Sequence, residues 1–189
     1  MINISLFDKG NQQYILEAAR LLAEAFPHAY GDCASEEIEK YLESERIAIM
    51  AVKDGNLVGF AGAISAYEYA WELHPLFVRK DCRFQGIGTR LVNAMENECA
   101  NRGAITLYLG TDDEFEETSL SNTDLYIDTY EKIKNIINLK GHPFEFYQKS
   151  GYKIVGVIPD ANGMGKPDIF MAKRLKMMST ASVACGMQG

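Results

Sequence analysis

No apolar stretch in these 189 residues approaches the roughly 20 that a membrane helix needs. No spanning segment and no membrane partner is therefore expected. The four cysteines, Cys33, Cys82, Cys99 and Cys185, form no Cys-x-x-Cys pair. That argues against a zinc site and lends no support to a disulfide framework. His, Cys and carboxylate residues nowhere share metal-ligand spacing, so no metal is expected. Met1 to Ser5 carry neither the basic region nor the apolar core of a signal peptide, and a cytoplasmic protein is expected. Positive charge is in deficit too. A formal net charge of −7 repels a phosphate backbone and counts against nucleic acid as a partner. The same charge serves solubility or draws a cationic ligand, and composition alone leaves both open.

The elements that are present alternate in type. Apolar spacing predicts a helix from Tyr14 to Phe26, stopped by Pro27, and a short helix from Ser35 to about Leu42. Ile47–Val52 and Leu57–Ser65 read as strands around the hairpin turn Lys53-Asp54-Gly55-Asn56. A strand from Trp71 to Val78 contains Pro75, which removes a ladder donor and predicts a bulge. On an unbroken alternation Glu72, His74 and Leu76 share one face. A helix from Gly88 to Arg102, a strand from Ala104 to Leu109, an acidic loop from Gly110 to Thr123 and a helix from Asp124 to Ile137 follow. A short helix from Pro143 to Ser150 and strands Tyr152–Ile158 and Ile169–Lys173 complete one mixed α/β domain over residues 1–175. Residues 176–189 read as a flexible tail.

The sharpest chemical signal is Arg83-Phe84-Gln85-Gly86-Ile87-Gly88-Thr89. It leaves a strand and opens a helix. Two glycines allow a tight turn and a close approach of backbone to ligand, and free N–H groups at a helix start favour phosphate. The pattern is neither a P-loop nor a dinucleotide fingerprint. It reads as a pyrophosphate cradle or as an ordinary strand–helix turn.

Taken with Phe146-Tyr147-Gln148-Lys149-Ser150-Gly151-Tyr152, the cradle resembles the Arg/Gln-x-x-Gly-x-Gly/Ala motif of the GCN5-related N-acetyltransferases. Trp71-Glu72-Leu73-His74-Pro75-Leu76, Tyr108 to Asp113 and His142 to Tyr147 make the chain similar to the aminoglycoside 6′-N-acetyltransferases within them. The likeness runs from about Ile4 to Lys173. Phe26 departs from it, standing where such enzymes often present tryptophan, and the loop Glu114-Phe115-Glu116-Glu117 shifts the acidic positions.

The resemblance implies an α+β fold whose central mixed, mostly antiparallel sheet is splayed between its fourth and fifth strands and flanked by helices. It implies acetyl-CoA as the acetyl donor, direct transfer to a cationic aminoglycoside, and a homodimer. Leu76, Phe77, Val78, Arg83, Phe84, Gln85, Gly86, Ile87, Gly88, Thr89 and Tyr147 are then expected at the coenzyme. Glu72 is expected to bind or deprotonate the amine and His74 to position it. The Leu76 N–H is expected to receive the charge gathering on the reacting carbonyl oxygen, and Tyr147 to protonate the departing thiolate. Phe26, Tyr67, Glu72, Asp112, Asp113 and Glu116 are expected at the substrate. Polyamines or lysine-rich peptides suit an acidic cleft equally well, and a non-catalytic acyl-CoA-binding module is a further alternative.

Overall fold

Asn11 opens the first long helix by accepting a hydrogen bond from the Tyr14 N–H at 3.3 Å, an N-cap that satisfies one orphan donor. The helix, α1 (Gln12–Ala25), buries Ala18, Ala19, Leu21 and Leu22. It ends where Pro27 begins α2 (Pro27–Tyr30), and α3 (Ala34–Lys40) follows. The computed structural model describes residues 1–175, and the predicted tail at 176–189 lies outside the described residues.

Among the described residues seven strands form one sheet, in the order β1-β2-β3-β4-β5-β7-β6. They are β1 (Ile2–Leu6), β2 (Arg46–Lys53), β3 (Asn56–Ser65), β4 (Ala70–Val78), β5 (Thr106–Asp112), β6 (Lys153–Ile158) and β7 (Asp168–Arg174). The β2–β3 turn is closed by Asp54 and Gly55 at φ 53° and 79°, the left-handed pair that a tight hairpin requires. Among the described strands only β4 and β5 run parallel, and they pair at Ala70–Thr106, Trp71–Leu107 and Glu72–Tyr108 before parting. Past Glu72 the two strands diverge, the predicted splay.

Alternation along β2 divides two cores. Ile47, Ile49 and Ala51 meet α4 (Ile87–Asn101) on one face, while Ala48 and Met50 meet α1 and α3 on the other. In α4, Leu91, Val92, Met95 and Cys99 are buried at helical spacing.

Three elements differ from the sequence reading. The strand β1 is unpredicted; it adds to the edge through β2. The helix expected over Asp124–Ile137 shrinks to α5 (Thr129–Lys134), because the segment before it is turned by side chain-to-backbone bonds such as Asp124 accepting from the Tyr126 N–H at 3.0 Å. β5 also extends into the predicted acidic loop, taking Gly110, Thr111 and Asp112.

The bulge at Pro75 forms and has a consequence that alternation misses. The pairing of β3 with β4 steps from Ala61–Leu76 to Ala63–Leu73, so His74 and Pro75 together oppose Gly62. Parity flips across them. Leu76 packs on the α4 side with Leu73, whereas Phe77 joins the core under α1. Glu72 pairs with Ile64, a residue of the α1 side, and His74 contacts Tyr30 of α2. Glu72 and His74 thus share a face, and Leu76 does not share it.

Candidate active site

Beyond the bulge, the Arg79 N–H donates to the Val58 carbonyl at 2.8 Å. Antiparallel alternation then bonds Phe77 to Phe60 and turns the N–H and C=O of Leu76 and Val78 toward the gap left by β5. This corrects one expectation. Phe77 spends its backbone on β3, and its buried ring stacks on Phe60 at 5.4 Å, so it faces away from the gap.

The cradle follows at once. A 3₁₀ turn (Lys80–Cys82) leads to Phe84 at φ 61° and Gly86 at φ 76°. Arg79 grips Asp81 through Nε at 2.7 Å and a guanidinium nitrogen at 3.1 Å. Arg83 Nε donates to the Val78 carbonyl at 3.1 Å, and the Gln85 amide to the Asp81 carbonyl at 3.2 Å. The Arg83 and Gln85 side chains therefore brace the loop itself. Among the described residues, none of the six backbone N–H groups from Phe84 to Thr89 donates to a protein acceptor. A Cβ on Gly86 would meet nothing within 4 Å. Left-handed turns and a 15-residue helix thus gather free donors around open space, which suits a diphosphate. Ile87 contributes backbone only, since its side chain is buried. Phe84 is fully exposed.

On the parted side, α6 (Phe144–Lys149) carries Tyr147. Its ring lies between Phe146 at 4.9 Å and Tyr152 at 5.8 Å. Burial pushes its hydroxyl pKa well up, so it holds its proton and remains a donor. A Cβ on Gly88 would stand 3.3 Å from Phe146, so cradle and α6 fit closely.

At the other end of the gap, Glu72 accepts from the Tyr108 hydroxyl at 3.4 Å. Burial, followed by Glu72, pushes that hydroxyl up to about 12. Tyr108 lies between Tyr67 at 6.3 Å and Phe170 at 6.5 Å. Tyr67 is 69% exposed. Phe26 is partly exposed and meets Tyr30 edge-on at 6.2 Å.

The acidic residues divide. Asp112 is exposed, pairs in register with Asp168, and accepts from the Asn162 amide at 2.5 Å. Asp168 was missed by sequence reasoning. It closes over Gly110, where a Cβ would be 2.6 Å from its Oδ2. Burial, then Asp112 and then Glu72 among the charges, push its carboxyl up to about 6. Among the described residues no Lys or Arg forms an ion pair with Glu72, Asp112 or Asp168.

Asp113 is a correction. It is 0% exposed and accepts from the Glu117 N–H at 2.6 Å, the Thr118 N–H and hydroxyl at 2.9 and 2.7 Å, and the Ser121 hydroxyl at 2.6 Å. Burial alone would raise its carboxyl, but those hydrogen bonds, Ser121 and Thr118 foremost, hold it below the ordinary value. Its acceptor sites are committed to the loop, so it has none for a substrate. Glu116 sits exposed in that loop at φ 57°. His142, assigned no role from sequence, braces the same region. Its Nδ1 accepts from the Phe144 N–H at 3.2 Å, and its Nε2 lies 3.1 Å from the Asp112 carbonyl.

Tyr30, Tyr108 and Asp168 are the residues that sequence reasoning missed. Tyr108 left a trace there, at the head of the matching segment Tyr108 to Asp113. Among the described residues no group of three or more His, Cys, Asp or Glu is placed to hold a metal, and no helix is long and apolar enough to cross a membrane.

A strand edge freed by a bulge, a turn of free N–H donors opening the next helix and a carboxylate at the far end of the gap suit an acyl-transferase that seats a diphosphate-bearing thioester. The chain belongs to the acetyltransferase (GNAT) family, which residues 15–126 match. Among solved structures, an aminoglycoside 6′-N-acetyltransferase complexed with coenzyme A is 53% identical, covers 91% of this chain and 96% of its own, and superposes with a TM-score of 0.90. The aminoglycoside 6′-N-acetyltransferase from Enterococcus faecium is also 53% identical over the same shares, with a TM-score of 0.87. An aminoglycoside 6′-acetyltransferase type Ii is 46% identical over the same shares, at 0.73. Comparison with curated proteins gave no match.

Proposed function

We propose that this acetyltransferase moves the acetyl group of acetyl-CoA to the 6′-amine of aminoglycoside antibiotics, by direct transfer with both substrates bound, and so confers resistance. The observation that carries the reading is kinship at 46 to 53% identity over 96% of each aminoglycoside-acetylating relative. The local chemistry agrees. Several ammonium groups on one ligand suit carboxylates that no cation neutralises, and charge of this sign steers such a ligand inward.

Acetyl-CoA brings an activated thioester when bound. The N–H groups from Phe84 to Thr89 hold its diphosphate, and the Leu76 and Val78 backbone groups orient its arm. Glu72 binds the amine and takes its proton, directly or through water, since an unperturbed alkyl amine has a pKa near ~10. The Leu76 N–H receives the charge that gathers on the carbonyl oxygen; a donor of this kind is worth about 10²–10³ in rate. Tyr147 keeps its proton and offers it to the departing sulfur. Asp112 and Asp168 hold other ammonium groups of the substrate, and Tyr67 and Phe26 give its rings an apolar floor. Residues 1–175 act as a single domain in a cytoplasmic homodimer; the assembly rests on the resemblance.

The test is thiol release from acetyl-CoA with a kanamycin-type 6′-amine and with its 6′-hydroxy counterpart. Release with the amine alone is expected. No release, or a higher kcat/KM with a polyamine or lysine-rich peptide, overturns the reading.

A further inference from the structure

Tyr30 belongs to a four-residue helix that hangs between α1 and α3, and its hydroxyl oxygen lies 2.5 Å from Nε2 of His74. Each partner is confined. The Tyr30 ring is flanked by Phe26 edge-on and tilts over the imidazole at a centroid distance of 6.0 Å. The His74 carbonyl accepts the hydroxyl of Tyr41, a residue 0% exposed. Opposite the bulge, a Cβ on Gly62 would come within 2.5 Å of that carbonyl oxygen. The imidazole is thus held at its backbone and at one ring nitrogen.

We propose that the Tyr30 hydroxyl donates to Nε2 and thereby fixes the neutral His74 ring in the tautomer protonated on Nδ1, so that His74 serves the substrate as a hydrogen-bond donor and not as a base. The inference rests on the reading above that β4 lines the acetyl-transfer site.

The direction of the bond follows from donor and acceptor chemistry. A phenol is a better donor than an imidazole N–H, and an imidazole nitrogen is a better acceptor than a phenol oxygen. The reverse arrangement would leave the phenolic proton with no protein acceptor among the described residues, in a half-buried position, where an unmade bond is costly. Burial first, then the acids Glu37, Asp112 and Glu72 and the Cys33 thiol, push the Tyr30 hydroxyl up, so it keeps the proton it donates. Once Nε2 accepts, a neutral ring must carry its hydrogen on Nδ1, and no described residue accepts from Nδ1. An oxygen of the bound amino sugar, or a water attached to it, is the partner left for that N–H. The lone pair a base would need is occupied by Tyr30, which leaves proton removal to Glu72.

The chain carries its own control. His142 Nδ1 accepts the Phe144 N–H while its Nε2 faces the Asp112 carbonyl, a group that only accepts. Its neutral ring therefore holds the hydrogen on Nε2. Two of the three histidines are expected in opposite tautomers, set by neighbours in the protein.

The test is long-range nitrogen-15 correlation spectroscopy of the imidazoles in the resting protein near pH 8, with His28→Gln and His142→Gln used for assignment. His74 is expected protonated on Nδ1 and His142 on Nε2. In Tyr30→Phe, which keeps the ring, His74 is expected to move toward the mixture of a free imidazole. The same variant should lose about tenfold in kcat/KM for the aminoglycoside, the worth of one hydrogen bond, with unchanged coenzyme A affinity. His74→Asn, whose amide N–H stands near the place of Nδ1, should retain more activity than His74→Gln, whose amide mimics Nε2. His74 protonated on Nε2 in the wild type, or a tautomer unmoved by Tyr30→Phe, overturns the tautomer assignment. Equal losses in the two His74 variants, or unaltered kcat/KM in Tyr30→Phe, overturn the donor role. Failure to acetylate any aminoglycoside would instead sink the functional reading, and the tautomers would still be measured independently.

Discussion

Leu73 and Leu76 stand three residues apart on β4 and pack into the same core, against α4. In an unbroken strand, residues three apart face opposite sides. The two-for-one opposition of His74 and Pro75 to Gly62 supplies the missing half-turn. It also sends the Leu76 N–H into the gap beside β5 while the Glu72 and His74 side chains lie on the other face of the sheet.

Gly62 is the small partner this arrangement needs. A Cβ there would lie 2.5 Å from both the His74 carbonyl oxygen and Tyr41 Cε1. Gly62→Ala is expected to destabilise the protein by about 1–3 kcal/mol and to lower kcat more than coenzyme A affinity. Denaturant titration measures the first effect, and steady-state kinetics with coenzyme A calorimetry the second.

Asp113 is a loop-building acid, its carboxylate spent on four donors of the segment that follows it. Asp113→Ala strands four donors and is expected to cost about 2–4 kcal/mol. Because the folded carboxyl is held below its ordinary value, its stabilisation is complete above about pH 4 and fades as pH falls through the depressed value. Melting curves of wild type and variant should therefore converge in acid.

Asp168 behaves oppositely. Its folded pKa is raised from 3.8 to about 6, so the native state binds the extra proton and wild-type stability falls as pH rises through that window. Asp168→Asn is expected to melt higher than wild type at pH 7–8 and to lose that advantage near pH 4. It should also gain less stability from added aminoglycoside, because one carboxylate for an ammonium group is gone.

Tyr147→Phe is expected to slow the chemical step by about one to two decades at most, since a thiol of pKa about 8.5 already leaves readily. As burial keeps the hydroxyl protonated, the ratio of wild-type to variant rates should stay flat up to pH 9. Single-turnover measurements isolate this step.

Gly86→Val puts a β-branched residue at φ 76° with open space around it. The penalty is backbone conformation alone, about 1–2 kcal/mol. Weaker coenzyme A binding, by roughly tenfold, is the expected calorimetric result, with a fully folded protein.

Much was legible locally. The hairpin at Asp54-Gly55, the amphipathic faces of α1 and α4 and the cradle from Arg83 to Thr89 are each written within a few adjacent residues. There, dihedral preference and periodicity act without help from distant chain. The bulge was legible as well, from Pro75, though not its effect on facing. Periodicity reports facing only while the ladder is unbroken.

The amino-acid sequence by itself determined the order of elements around the site, the two-glycine turn and the density of acid after β5. Only the tertiary structure decided which acids are free and which are spent. Asp112 and Asp113 are neighbours in the chain, yet one is exposed and the other is sealed by four donors. It also joined Tyr30 to His74 across 44 residues and laid Asp168 over Gly110. The physical reason is that desolvation and hydrogen-bond partnership depend on distance through space, and no local preference of the chain encodes that distance.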